Sequence, residues 1–176
     1  MKPGAEQQLQ FLQHLQRLFD EGDFVTTYKY ALLMTLAELA VESGGGDAEG
    51  ELRLPMVRIA GKFAELYWPQ TVPNASGVAG ANPSVLARNQ RKQAAVVNYL
   101  SLLRTLGATM IGQARQLPGG TGTLRTIAAT VANMSLRYLQ DVGGVLGPFL
   151  YDFPPARGEV VLKAGVGAML TEIASS

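Results

Sequence analysis

A long, strongly apolar segment of the chain is TTYKYALLMTLAELA, residues 26–40. Its apolar side chains recur at helical spacing, at Tyr28, Leu32, Leu33, Leu36, Leu39 and Ala40. Thr26 or Thr27 can cap the start of the helix, and the turn-forming residues 43–47 (SGGGD) can end it. The pattern predicts a largely buried second helix.

Helical periodicity also predicts helices on both sides of this segment. The predicted ranges are 5–19, Pro55 through Tyr67, 85–106, 124–140 and 166–173. Two short apolar runs near the end, 149–151 and 160–162, could pair as a hairpin. We therefore expect one mainly α domain over residues 1–176, with about six helices and at most one short β-hairpin near the C-terminus.

The composition is that of a folded domain. The chain has 176 residues, of which 47% are apolar and 16% charged, which excludes a highly charged disordered segment. No run approaches the roughly 18 apolar residues of a membrane span, and the polar first ten residues lack the apolar region of a secretory signal. We expect a cytoplasmic protein.

Histidine and cysteine are nearly absent, and this limits the chemistry. The chain has no cysteine, which excludes disulfides, a cysteine nucleophile and thiolate metal sites. Any triad or multi-histidine metal site would have to use His14, which lies in a glutamine-rich amphipathic stretch and is predicted to be a surface or boundary residue. We expect a binding domain without catalytic residues, metal or cofactor.

The net charge of +1 hides a strong asymmetry along the chain. Residues 1–52 carry three basic and nine acidic side chains, whereas residues 53–115 carry eight basic side chains and one acid, Glu65. Such a block can form a surface for an anionic ligand, or its charges can scatter over several faces.

Three polar clusters have compositions that suit DNA. The first comprises Thr26, Thr27, Tyr28 and Lys29, at a helix N-terminus whose free N–H groups favour phosphates, although a capped helix with buried tyrosines has the same pattern. The second, Tyr67, Trp68, Pro69 and Gln70, puts aromatic and proline rings at a helix end; Trp68 could equally be a core residue.

The third cluster follows a Gly/Ala/Asn/Pro loop at residues 74–83 and opens a predicted helix. It comprises Arg88, Asn89, Gln90, Arg91 and Lys92. Arg, Asn and Gln can make bidentate contacts with base edges, and Arg and Lys contact phosphates. A merely solvated first turn would favour acids instead, so this cluster favours nucleic-acid binding.

Read together, these segments resemble a known family. Residues 24–33, 59–70 and 89–95, with 134–140 and 149–151, are similar to the helical domain that precedes the nuclease in bacterial HNH endonuclease-like proteins. That domain resembles the DNA sulfur-binding domain of phosphorothioate-dependent type IV restriction enzymes, which act in phage defence. This chain has no HNH motif, so the resemblance implies the recognition domain of a fused or partner nuclease.

The resemblance implies that the chain reads phosphorothioate-modified double-stranded DNA. Sulfur is larger, more polarizable and less hydrated than a phosphate oxygen, so a shallow apolar cavity suits it. Pro69 would form this cavity with Tyr67 or Trp68 and with Val72 or Pro73. Phosphates and base edges would be contacted by Thr26, Thr27, Tyr28, Lys29, Gln70, Arg88, Asn89, Gln90, Arg91 and Lys92. Two alternatives stay open: a reader of unmodified or base-modified DNA, and an all-α protein-interaction module.

Overall fold

The computed structural model describes residues 3–20, 26–47, 49–71, 96, 98–130, 136–140 and 148–175. Its helices are α1 (Ala5–Asp20), α2 (Thr26–Glu42), α3 (Met56–Tyr67), α4 (which includes 98–105), α5 (Gly120–Thr130), the single turn α6 (Arg137–Leu139) and α7 (Val166–Ala174). Two 3₁₀ segments are Trp68–Thr71 and Ile111–Gln116, and two strands are β1 (Leu52–Pro55) and β2 (Glu159–Leu162). The predicted mainly α class is confirmed.

α2 is the buried helix that the sequence predicts. Leu32, Leu36 and Ala40 have no exposed surface, and the hydroxyl of the buried Thr35 donates to the carbonyl of Ala31 at 2.8 Å. The helix packs against both α3 and α7, and α3 packs in turn against α5. α1 adds Phe11, Leu15 and other side chains to the same core. Since α2 has hardly any polar face, neighbours must cover it on several sides.

The predicted glycine turn after α2 is also confirmed. Gly44, Gly45 and Gly46 have φ angles of 82°, 78° and 66°, in the left-handed region that favours glycine. The Gly45 N–H donates to the carbonyl of Ala40 at 2.7 Å, which satisfies one of the last carbonyls of the helix. This turn leads the chain away from α2 towards β1.

The strands pair differently from the predicted hairpin. β2 pairs antiparallel with β1, with Leu54 opposite Val160 and Leu52 opposite Leu162, whereas residue 151 makes only an isolated bridge to Leu162. The segment before β2 contains Pro154 and Pro155, which have no N–H to donate to a ladder. The alternating β1 segment instead supplies a ladder of four residue pairs, and its Leu54 is fully buried.

α5 begins four residues before the predicted start, Leu124. Its first residue, Gly120, lies so close to the 3₁₀ segment 111–116 that a β-carbon there would overlap the carbonyl of Ala114. Within the predicted helix to Gln140, α5 covers Gly120–Thr130 and α6 covers Arg137–Leu139, while residues 131–135 lie outside the described part.

A buried polar network holds residues 148–151 against α6. The amide of Gln140 donates to the carbonyl of Tyr151 at 2.6 Å and accepts from the N–H groups of Leu150 and Tyr151. The Tyr151 hydroxyl donates to the carbonyl of Leu136 at 2.8 Å, and burial raises the pKa of this phenol. The last apolar run before β2 is thus fixed by hydrogen bonds and not by a strand ladder.

His14, predicted to be a surface or boundary residue, is half-buried, with its ring centroid 5.2 Å from that of Phe149. In the described segments, no helix combines the length and apolar character needed to cross a membrane.

Candidate nucleic-acid interface

Ion pairs set the direction of α2 relative to α3. Glu42 contacts Arg58 at 3.0 Å and Lys62 at 2.7 Å, and Glu38, one turn earlier on α2, contacts the same Lys62 at 3.5 Å. Residue numbers thus fall along α2 as they rise along α3, so the two helices are antiparallel. The N-terminus of α2 and the C-terminus of α3 therefore lie at the same end of the pair, which brings together the backbone of the first two polar clusters.

The first cluster is only partly described. The backbone of Thr26, Thr27 and Tyr28 forms the first turn of α2, while their side chains lie outside the described part. Lys29 is 6% exposed, which leaves its ammonium little surface for a phosphate. The neighbouring Tyr30 is an exposed aromatic residue, with 55% of its surface accessible to solvent.

Trp68 is held in place by three contacts. Its indole N–H donates to the carbonyl of Thr109 at 3.1 Å, and the guanidinium of Arg104 lies over its ring, 4.4 Å from the centroid. Arg104 also donates from Nη2 to the carbonyl of Trp68 at 3.2 Å. The ring is half-buried and packs against the core. We call this arrangement of Trp68, Arg104 and Thr109 the tryptophan clamp.

Pro69 follows the clamp directly and is exposed. It lies in the 3₁₀ segment Trp68–Thr71, which continues α3 without a break. The clamp holds the preceding residue from both its side chain and its carbonyl, so the proline ring is presented from a fixed backbone. Of the residues predicted to form the sulfur cavity with Pro69, the side chain of Tyr67 and all of Val72 and Pro73 lie outside the described residues. The side chain of Gln70, a predicted DNA contact, also lies outside them.

The third cluster, Arg88, Asn89, Gln90, Arg91 and Lys92, also lies outside the described residues. Its predicted roles stay predictions. The helix that follows it in sequence, α4, supplies Arg104 to the clamp, so α4 is joined to the end of α3 that carries Pro69.

Three cations in the described part of the basic block are paired with acids of the protein. Arg53 contacts Glu159 at 3.6 Å, Arg58 pairs with Glu42, and Lys62 contacts Glu38, Glu42 and Glu65. The hydrogen bond that Lys62 donates to Glu42 is the main cause that raises the pKa of Lys62 to about 12, and the same bond lowers the pKa of Glu42. These three cations neutralise acids of the protein itself, so they do not form an anion surface.

Arg115 and Arg125 are placed differently, and no sequence pattern predicts that they lie near each other. They lie at one groove between α3 and α5, although Arg125 is outside the basic block. No sequence signal joins them, because one lies on a 3₁₀ segment and the other on a helix. Arg104 was missed for a similar reason: it meets Trp68 across 36 positions of sequence.

In the described segments, no three His, Asp or Glu side chains are arranged so that they could hold a metal ion. Residues 8–152 match the model of a protein family described as Domain of unknown function (DUF8808). The chain belongs to the DUF8808 family. No curated protein and no solved structure matches it.

The DUF8808 match contains the whole candidate interface. Pro69, the tryptophan clamp, Arg115 and Arg125 all lie within residues 8–152. β2 and α7 lie after the matched segment, yet both contribute to the core of this DUF8808 member through Val160, Leu162, Val166 and Leu170. The structural unit is thus larger than the matched segment.

Proposed function

We propose that the chain is a recognition module for double-stranded DNA that reads a phosphorothioate, works in the cytoplasm and is not itself an enzyme. A fused or partner HNH nuclease would cut the recognised DNA. The observation that carries the proposal is the exposed Pro69 ring, which directly follows the tryptophan clamp. The clamp includes the cation of Arg104. The preference for sulfur rests on the family resemblance given above.

The chemistry of the exposed Pro69 ring suits a sulfur atom flanked by phosphates. A proline ring offers an apolar surface without an N–H donor, which a weakly hydrated sulfur tolerates and a phosphate oxygen does not. Because the clamp fixes the backbone before the interaction forms, little conformational entropy is lost on binding. Sulfur selectivity is therefore expected to depend on the ring of Pro69 more than on any charge.

The same end of the α2–α3 pair offers donors for neighbouring phosphates. The first N–H groups of a helix such as α2 have no acceptor within the helix itself, and such groups favour anions. Thr26, Thr27 and Tyr28 would add side-chain donors there, and residues 88–92 would supply contacts to base edges and backbone. The burial of Lys29 makes it the weakest member of the predicted set.

The test is a fluorescence-anisotropy titration of two duplexes of one sequence, one with a single stereodefined phosphorothioate and one without, across a range of salt. We expect the sulfur duplex to bind about tenfold tighter or more, a difference of ~1.4 kcal/mol. Pro69→Ser should bring this ratio close to one and change binding of the plain duplex by less than about twofold.

The matched control is Pro148→Ser, another exposed proline, which precedes the Phe149 that packs on α1. It should keep the full sulfur preference. Equal, salt-steep binding of both duplexes by the wild type would overturn the sulfur reading and leave a reader of other DNA. Binding of neither duplex at low salt would overturn DNA recognition and favour the protein-interaction module.

A further inference from the structure

A groove of about 310 Å³ runs between α3 and α5. Its apolar floor comes from Ala60 and Gly61 of α3 and from Leu124 and Ala128 of α5. Arg115, from the 3₁₀ segment, and Arg125, from α5, stand at its rim. The groove therefore combines small apolar side chains with two guanidinium groups from different elements.

Within the described part of the chain, neither arginine is paired with an acid, in contrast to Arg53, Arg58 and Lys62. Both are exposed, and neither forms an ion pair or a cation–π contact within the described part of the chain. None of the described residues that line the groove is an Asp or a Glu. Two unpaired guanidinium groups without a nearby carboxylate attract an anion, and each can bind a phosphate with two parallel hydrogen bonds.

The groove lies on the same face of α3 as the tryptophan clamp. Positions 57, 61, 64 and 68 follow the three- and four-residue spacing of one helix face, and Val57 and Gly61 line the groove. The segment from Thr109 to Arg115 runs back along α3, since Thr109 contacts Trp68 and Arg115 reaches the level of Gly61. Gly61 and Pro69 are eight residues apart, which is about 12 Å along a helix.

From this placement we infer that the α3–α5 groove is a second DNA subsite, which holds the sugar-phosphate backbone of the same duplex. Arg115 and Arg125 bind phosphates, and the apolar floor packs against deoxyribose. The inference rests on the proposed function. A distance of about 12 Å along the duplex corresponds to three or four base-pair steps, so one short duplex can reach both Pro69 and the groove. Because the two cations come from different elements along one groove, the groove favours a continuous polyanion over a single small anion.

The experiment compares the wild type with R115Q/R125Q on the sulfur and plain duplexes, measured as the slope of log K against log salt. Each lost phosphate contact reduces the slope by about 0.9, so we expect a reduction of about 1.8. Affinity for both duplexes should fall about tenfold or more at ~0.1 M salt. The ratio between the two duplexes should stay unchanged, because the groove does not touch the sulfur.

The control is R17Q/K163Q, which also removes two positive charges. Arg17 lies in α1, and Lys163 lies between β2 and α7. A wild-type slope in R115Q/R125Q, or an equal reduction in the control, would overturn the groove subsite and leave the proposed function standing. A collapse of the sulfur ratio in R115Q/R125Q would also overturn it, because the groove would then belong to the sulfur site. If the wild type binds neither duplex, the proposed function fails and the inference with it.

Discussion

Gly120 shows how a single residue sets the position of a binding side chain. A β-carbon at this position would overlap the backbone carbonyl of Ala114, the residue before Arg115. The glycine is therefore required by the close approach of two backbone segments. Gly122, two residues later in the same helix, has nothing within 4 Å of its β-carbon position.

This contrast predicts opposite effects for two identical substitutions. Gly120→Ala should lower the free energy of unfolding by about 2–4 kcal/mol, because backbone must move to admit the methyl group. Gly122→Ala should raise it by up to about 1 kcal/mol, because alanine has the higher helix propensity. Urea unfolding of both variants measures this, and equal effects of the two would contradict the close approach.

Other single residues show what local sequence leaves open. The sequence allowed Trp68 to be a core residue or an exposed binding surface, and the structure makes it half-buried with its N–H bonded to Thr109. Lys29 belongs by pattern to an exposed helix start, yet it is buried. In both cases the outcome depends on neighbours that are distant in sequence.

At the scale of elements, the contact between α2 and α3 depends on Lys62. Its side chain is 18% exposed and reaches three carboxylates, those of Glu38, Glu42 and Glu65. The raised pKa of Lys62 means that its contribution to stability is present below its ordinary value of 10.5 and is lost as the pH rises through about 12. The lowered pKa of Glu42 means that its contribution is present above 4.5 and is lost as the pH falls further.

We therefore expect Lys62→Met to destabilise the protein most between about pH 5 and 10, by on the order of 1 kcal/mol. Towards pH 3 the difference from the wild type should shrink, because Glu42 begins to lose its charge, and with it the pairing to Lys62, as the pH falls below 4.5. Lys163→Met is the control, since Lys163 pairs with an 83% exposed Asp152 and should matter little. Urea unfolding at pH 3, 7 and 10 gives the measurement; a difference that does not change with pH would refute the role of the network.

The sheet shows the limit of prediction for elements. The apolar run at 160–162 is a strand, as its β-branched residues indicate, and helices α1, α2, α3 and α7 lie within a few residues of their predicted bounds. Periodicity and turn residues are local signals, so helices and turns can be predicted from the sequence alone. The partner of the strand is not local: β1 lies about a hundred residues before β2 and outcompetes the nearby run at 149–151.

For the whole molecule, the family segment and the folded unit do not coincide. The DUF8808 match ends at residue 152, whereas β1 needs β2 as its hydrogen-bond partner and α2 is covered by α7. Gly167 at the start of α7 lies so close to the carbonyl of Gly45 that a β-carbon would be 3.0 Å away. The C-terminal residues are therefore part of the same core.

A fragment of residues 1–152 should accordingly lose cooperative unfolding, because several buried side chains of α2 and β1 would face water. A fragment of residues 1–174 keeps α7 and should melt as the full chain does. Circular dichroism melts of the two fragments and the full chain test this. A 1–152 fragment with the melting temperature of the full chain would show that β2 and α7 are dispensable.

Sequence alone determined the mainly α class, the buried character of α2 and the glycine turn after it. These features depend on spacing and backbone preferences within a few residues. Tertiary structure alone decided that α2 and α3 bring the first two clusters to one end, that Arg104 fixes Trp68, and that Arg115 and Arg125 meet at one groove. The physical reason is that side chains 10 to 40 positions apart become neighbours only when helices pack, and packing depends on the shape of every element in the core.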